Sequence, residues 1–299
     1  MKAPRKVITR RDFIRGTAGL TLAGAAAGAQ AQGGQPWAGE KSKVVLVRDS
    51  SAVDEDGEPN GDVLNRMLDE AVTALLGTPD AGAAWKKLIK PEDVVGIKTN
   101  VWRFLHTPEA LEEGIKKHVM DAGVPETGVS VDDQGVRRNE VFQNATALIN
   151  IRPMRTHHWS GVGTLLKNYI MFHEKPYTWH DDACANLAGL WELPSVKGKT
   201  RLNVLVMLTP LFQGKGPHHF QKKYTWPYKG LLVGFDPVAV DATGLRILEA
   251  KRRDYFGDDL PFAVPPKHIQ VAQDKFKLGN ADADRIELVK LGWKDGALI

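Results

Sequence analysis

Short runs of consecutive apolar residues alternate along this chain with longer stretches in which apolar positions recur every three or four residues. Residues 43–48 (KVVLVR), 93–98 (DVVGIK), 128–132, 147–151, 202–208 (LNVLVML), 231–235 and 286–291 are short and apolar on consecutive positions, the pattern of strands buried on both faces. Between them, residues 62–76 place Val63, Leu64, Met67, Leu68, Val72 and Leu75 at helical spacing. Residues 108–122 open with a proline in the first turn, and 181–193 and 237 to about 255 complete the predicted helices, with a further one from Ser160 to about Met171. Strands alternating with helices predict an α/β fold: a mostly parallel or mixed central sheet with helices on both faces. No repeat and no linker interrupts residues 43–299, which read as one domain behind a flexible lead-in at 32–42. Residues 152–181 are expected to lie over the sheet edge.

The first 31 residues read as an address rather than as fold. A basic start leads to Thr9-Arg10-Arg11-Asp12-Phe13-Ile14, which looks like a twin-arginine export signal, and a Gly- and Ala-rich run ends in the cleavage-like Ala29-Gln30-Ala31. That run is too short and too rich in glycine to span a bilayer, which takes about 20 apolar residues. The expectation is a periplasmic protein handed folded to the twin-arginine translocase, with no stable membrane span. This changes the charge picture. Lys2, Arg5, Lys6, Arg10, Arg11 and Arg15 against Asp12 give the segment +5, so the whole chain's +4 leaves −1 for the rest. The basic character therefore belongs to the address, and no nucleic-acid partner is expected.

Cys184 is the single cysteine, which excludes an intramolecular disulfide, a Cys-ligated iron–sulfur cluster and a Cys-based zinc site. Gly161-Val162-Gly163 begins like a dinucleotide fingerprint, but Leu166 stands where the third glycine belongs, and Lys167 lacks the flanks of a phosphate-binding loop. Zincin, nucleophile-elbow and EF-hand patterns are absent from the sequence.

The candidate chemistry centres on residues 155–168, RTHHWSGVGTLLKN. With Ser160 as an N-cap, Thr164, Lys167 and Asn168 share a helix face near a terminus that attracts anions, and Arg155 and His157 precede it. An ordinary capped helix with a solvated lysine fits the same spacing. Neighbours in an extended chain point opposite ways, so only one of His157 and His158, and one of His218 and His219, is expected to face a site; His158 is set aside. His180-Asp181-Asp182 suits a divalent metal, or equally two carboxylates stabilising the first turn of the next helix. His106 and His118 read as packing or surface residues. Asp236-Pro237 is a helix start. Asp241, between Val240 and Ala242, and Lys98, ending an apolar strand, are charges that need buried partners. In a parallel sheet Lys98 and Asp236 would both lie beyond the carboxyl ends of the strands, where ligands gather.

In order and spacing, residues 44–248 resemble DUF362, a family of unknown function. The resemblance rests on Val95-Gly96-Ile97-Lys98-Thr99-Asn100, His106-Thr107-Pro108, residues 149–157 with 161–168, His180, Gly214-Lys215-Gly216-Pro217, and Asp236-Pro237-Val238-Ala239-Val240-Asp241. It implies a ligand site of Lys98, Asn100, Arg155, Lys167, Asn168, Gly216, Asp236 and Asp241. His157 and His180 would serve as acid–base groups or as ligands of a divalent metal. Arg155 replaces the family's usual lysine, and the cysteine-rich clusters of many relatives have no counterpart here. The implied function is an enzyme of redox or cofactor metabolism acting on an anionic small molecule, with a redox partner protein. Its rivals are a non-catalytic periplasmic protein for ligand or metal binding or maturation, and an accessory subunit of a redox complex.

Overall fold

A computed structural model describes residues 41–216 and 219–299; the export segment, most of the lead-in and His218 lie outside them. In chain order the main elements are β1 (Ser42–Arg48), α1 (Gly61–Leu76), α2 (Ala81–Leu88), β2 (Val95–Lys98), α3 (Glu109–Asp121), β3 (Val129–Asp132) and α4 (Glu140–Gln143). There follow β4 (Ala147–His157), β5 (Gly161–Gly163), α5 (Leu165–Asn168), α6 (Asp181–Cys184), β6 (Thr200–Leu211), β7 (Gly230–Gly234), α7 (Pro237–Phe256), α8 (Lys267–Asp274) and β8 (Ile286–Gly292). The strands form one eight-stranded mixed sheet in the order β3-β2-β4-β6-β7-β1-β8, with β5 paired to β4. This is the α/β fold that the alternating pattern predicts; α2 and α8, each of two turns, escape that pattern.

Period-two alternation divides the sheet between two cores. Val45 and Val47 of β1 pack with Leu64 and Leu68 of α1 and Ile115 of α3. Val44 and Leu46 face the other way, towards Val238, Val240 and Ile247 of α7. Asn60 and Asp80 accept the N–H of Val63 and of Ala83 in the first turns of α1 and α2, and left-handed Gly77 and Gly257 end α1 and α7.

Three expectations about the elements and their directions fail. The helix from Ser160 to about Met171 does not form. Gly161–Gly163 instead turns back as β5 against Arg155–His157, with Gly161 at φ +72°, and the helix is the single turn α5. Residues 181–193 are broken, because Asp182, Ala183 and Cys184 sit at φ 47°, 56° and 61° and a short 3-10 helix, Leu187–Glu192, follows. Asp236 and Lys98 do not converge, because β7 runs antiparallel to both β6 and β1. The physical reason is the connection 212–229, whose described residues hold no crossover α-helix to carry the chain back for a parallel strand.

Asp236 therefore lies by the amino end of β1, where its ligand role gives way to capping. Its carboxylate accepts from Val238 and Ala239 N–H at 2.8 and 3.1 Å, from the Ser42 hydroxyl at 2.5 Å and from Asn280 N–H at 2.7 Å. Asp236→Ala would strand these buried donors, and urea unfolding is expected to show a loss on the order of 3 kcal/mol. A loss below about 1 kcal/mol would show that the cap is dispensable.

Candidate functional site

The site is built on β4, which is buried along its whole length and carries Asn150, Arg152, Arg155, Thr156 and His157 in an otherwise apolar strand. A register irregularity against β6 between Pro153 and Arg155 offsets the alternation, so two arginines three apart reach the same place. A Cβ on Gly163 of the facing β5 would lie 2.9 Å from Arg152 Nη2 and 3.6 Å from Arg155 Cγ. Glycine there leaves the room that both side chains occupy. Gly216, at φ +61°, does the same one layer out: a Cβ would strike the Thr156 carbonyl beside His157. Gly216 thus sets a loop on β4 through its backbone.

A polar row crosses the sheet beneath. Lys98, Asn150 and Asn203 are register partners on β2, β4 and β6, on the face that α5 covers. Asn168 Nδ2 donates to the carbonyls of Lys98 and Ile151 and to Asn150 Oδ1, all within 3.1 Å. Asn150 in turn donates to the Leu165 carbonyl and to Asn203 Oδ1. The expected ligand residue Asn168 is thereby placed as a positioning residue that pins α5 to the sheet. The amino end of α5 is also engaged, since Asp241 accepts from Leu165 N–H at 3.0 Å and Leu166 N–H at 2.9 Å. The free helix terminus that the spacing suggested is filled by the protein's own carboxylate.

Lys98 is fully buried and forms an ion pair with Asp133, while Asp133 also accepts from Val101 N–H at 3.0 Å. Asn100 takes a hydrogen bond from Arg155 Nη1 at 2.9 Å, and the Arg155 guanidinium lies 4.5 Å from the centre of the Trp102 ring. Arg152 Nη1 donates to the Thr164 carbonyl at 3.0 Å. Lys167 extends from α5 to Cys184 Sγ at 3.8 Å. Thr164 bonds Asp241 and lies 3.2 Å from His268 Nε2 of α8.

The histidines join in a row of ring contacts. The chain turns after His157, so the premise that would separate His157 from His158 fails: their rings stack at 4.8 Å. Trp159 follows at 4.1 Å from His158, and His180 at 3.9 Å from Trp159. His157 Nδ1 accepts from Trp159 N–H at 3.2 Å. Among the described residues no three His, Cys, Asp or Glu side chains gather around a common point. Asp182, offered as a possible partner of His180, is instead paired with Lys267 at 2.5 Å. His118 is a packing residue, stacked on Trp85 with its Nε2 2.8 Å from Asp69 Oδ1.

Charge dominates the electrostatics. Lys98, Arg152, Arg155 and Lys167 are all buried, with Asp133 and Asp241 as the carboxylates among them. Burial is the largest cause lowering every basic group here. Burial brings Lys167 down to about 8, with Cys184 opposing and Arg152 and Arg155 adding to the drop. Burial lowers Arg152 to about 10 despite Asp133 and Asp241. His157 is held far below its ordinary value by burial, then Lys167, Arg155 and Arg152, so it is neutral. Burial and then Lys167 bring His180 to about 4. Burial raises Asp241 to about 7 against the pull of Thr164, the α5 N–H groups and Arg152. Arg152 Nε, Arg155 Nε and Thr156 Oγ1 are buried with no hydrogen-bond partner among the described residues.

The structure thus brings Lys98, Asn100, Arg155, His157, Lys167, Asn168, His180, Gly216 and Asp241 together and leaves Asp236 out. Sequence reasoning missed Arg152, Asp133, His158 and His268. Arg152 carried the same signal as Lys98, a charge inside an apolar run; Asp133 follows an apolar strand, as Asp241 lies in an apolar helix. An α/β protein with a buried cationic centre is the class that fold and site define. The family model described as Domain of unknown function (DUF362) matches residues 105–246, a span from α3 into α7 that holds the centre but not Lys98, Asn100 or His268. No curated protein and no solved structure matches the chain.

His268 supplies a pH test. Burial, then Lys167 and Arg152, brings it down to about 3 from an ordinary 6.5. The unfolded chain takes up this proton first, so the stability His268 contributes is complete above about pH 6.5 and is lost as pH falls towards about 3. His268→Gln should flatten the fall of unfolding free energy between about pH 6 and pH 4 by about 1.4 kcal/mol per pH unit. Equal slopes in the two proteins would show that His268 titrates alike folded and unfolded.

Proposed function

We propose that this is an exported enzyme that binds an anionic small molecule at Arg152, Arg155 and Lys167 and moves a proton with Lys167. The observation that carries the reading is the excess of buried cations over carboxylates, with guanidinium nitrogens of both arginines left without partners. Lys98 is paired with Asp133, which also acts on Arg152 and Arg155, while Asp241 acts on Arg152 and is itself poised between charge states. An uncompensated buried charge is costly, and an incoming anion relieves that cost. The arginine fork suits the planar or tetrahedral oxygens of carboxylate, sulfate or phosphate.

The proton-transfer role rests on Lys167. A side chain that loses its proton near pH 8 exchanges it readily at physiological pH, which is where acid–base catalysis works best. His157 and His180, both held neutral, are suited to accept or donate hydrogen bonds around the bound group rather than to carry charge. The same surroundings repel a divalent cation, so the anion is preferred over the metal as occupant. Export rests on the twin arginines and the cleavage-like Ala29-Gln30-Ala31, and makes the twin-arginine translocase the partner in transport.

Sulfate is a suitable probe because it does not titrate near neutrality. It is expected to raise the melting temperature of the wild-type protein and to take up protons on binding near pH 8.5, as the anion restores the Lys167 charge. Lys167→Met should abolish the proton uptake, weaken the sulfate response, and raise the ligand-free melting temperature by a few degrees, since it removes one mutually repelling cation. A wild-type protein indifferent to sulfate, phosphate and acetate alike would overturn the anion reading. Binding of an anion recovered unchanged after long incubation would favour the non-catalytic binding protein over the enzyme.

A further inference from the structure

The loop that leaves β2 has two chemical sides. Asn100 and Trp102 turn towards Arg155, one by hydrogen bond and the other by its ring face. Val101 and Phe104, in the same loop, are 52% and 38% exposed. Phe104 stacks on Phe220 at 4.8 Å with the ring planes 11° apart, and Trp102 meets both edge-on, at 5.2 Å from Phe104 and 5.8 Å from Phe220. Two chain segments far apart in sequence thus bring three aromatic rings to one place, and that place touches the guanidinium of the cationic centre.

Such an arrangement is costly unless something uses it. Aromatic surface left in water forgoes about 25 cal/mol per Å² of burial. Clustered exposed apolar side chains beside a few convergent polar groups are the mark of a ligand site rather than of ordinary surface. Charge complementarity limits the occupant: a neutral apolar body would leave Arg155 unsatisfied, and a bare inorganic anion would leave unused the exposed part of Phe104, whose ring also carries the Arg103 guanidinium at 4.4 Å.

On the reading that the centre binds an anion, we propose that its ligand is an aromatic anion. The acidic group sits at Arg152, Arg155 and Lys167, and the flat ring packs against Trp102, Phe104 and Phe220. Flat rings gain offset or edge-on contacts with these side chains beyond the area they bury, an advantage that a saturated ring of the same size lacks.

Three probes separate the contributions, with affinity read by calorimetry and by quenching of tryptophan emission: benzoate, cyclohexanecarboxylate and uncharged benzyl alcohol. Benzoate is expected to bind about tenfold more tightly than cyclohexanecarboxylate, and benzyl alcohol to bind weakest. Phe104→Ala, at an exposed position, should remove most of the tenfold preference, weakening benzoate more than cyclohexanecarboxylate. Trp159→Ala, at the other exposed ring near the centre, should leave the preference intact. Equal affinity for the two carboxylates would overturn the aromatic inference while leaving the anion reading standing. Failure of both carboxylates to bind would overturn the two together. Loss of the preference in Trp159→Ala but not in Phe104→Ala would overturn the placement of the ring.

Discussion

The carboxylate of Asp241 has no exposure to solvent, and it holds the first two backbone N–H groups of α5 at 3.0 and 2.9 Å. Almost everything in the cationic centre follows from that grip. It fixes a helix of a single turn, too short to persist alone, against the sheet with Lys167 on one side and Asn168 on the other. Through Thr164 it reaches His268, and it faces Arg152, so α5, α7, α8 and β4 are tied at one point. Two backbone donors, a hydroxyl and a guanidinium field offset much of the desolvation of this charge, yet not all of it. Asp241 stays near the edge of ionisation, and the centre around it keeps more positive than negative charge.

The alternation of apolar runs and amphipathic stretches made the α/β architecture legible, because burial on both faces leaves its mark on consecutive residues. Strand direction leaves no such mark. β7 is as apolar as β6 whichever way it runs, and only the absence of helical spacing in residues 212–229 hinted at its reversal. Asp236 was misplaced for that reason alone; its role as a helix start was legible and is correct.

The charged members of the centre were legible to the extent that they interrupt apolar runs. Lys98 and Asp241 stood out in this way, and Arg152 met the same criterion within residues 148–154 without being singled out. What the sequence concealed depends on turns. Gly161 at φ +72° replaces a helix with a hairpin, and the turn after His157 stacks two histidines that an extended chain would have parted. His268 lies in a two-turn helix whose position under Thr164 is a matter of tertiary packing, so no local pattern points to it.

The left-handed run at Asp182, Ala183 and Cys184 closes the argument about charge. Non-glycine residues in that conformation cost roughly 1 kcal/mol each, and three in succession need compensation from their surroundings. Asp182 gains Lys267 as an ion-pair partner, and Cys184 is brought to Lys167 in a buried position. A carboxylate at that point would neutralise the lysine and close the centre as a salt bridge. Sulfur is a weak acceptor, and burial keeps this thiol protonated by raising it above its ordinary value, against the pull of Lys167. The turn therefore supplies Lys167 with a neighbour that fills space without cancelling its charge, and the positive excess of the centre is preserved by the choice of thiol over carboxylate.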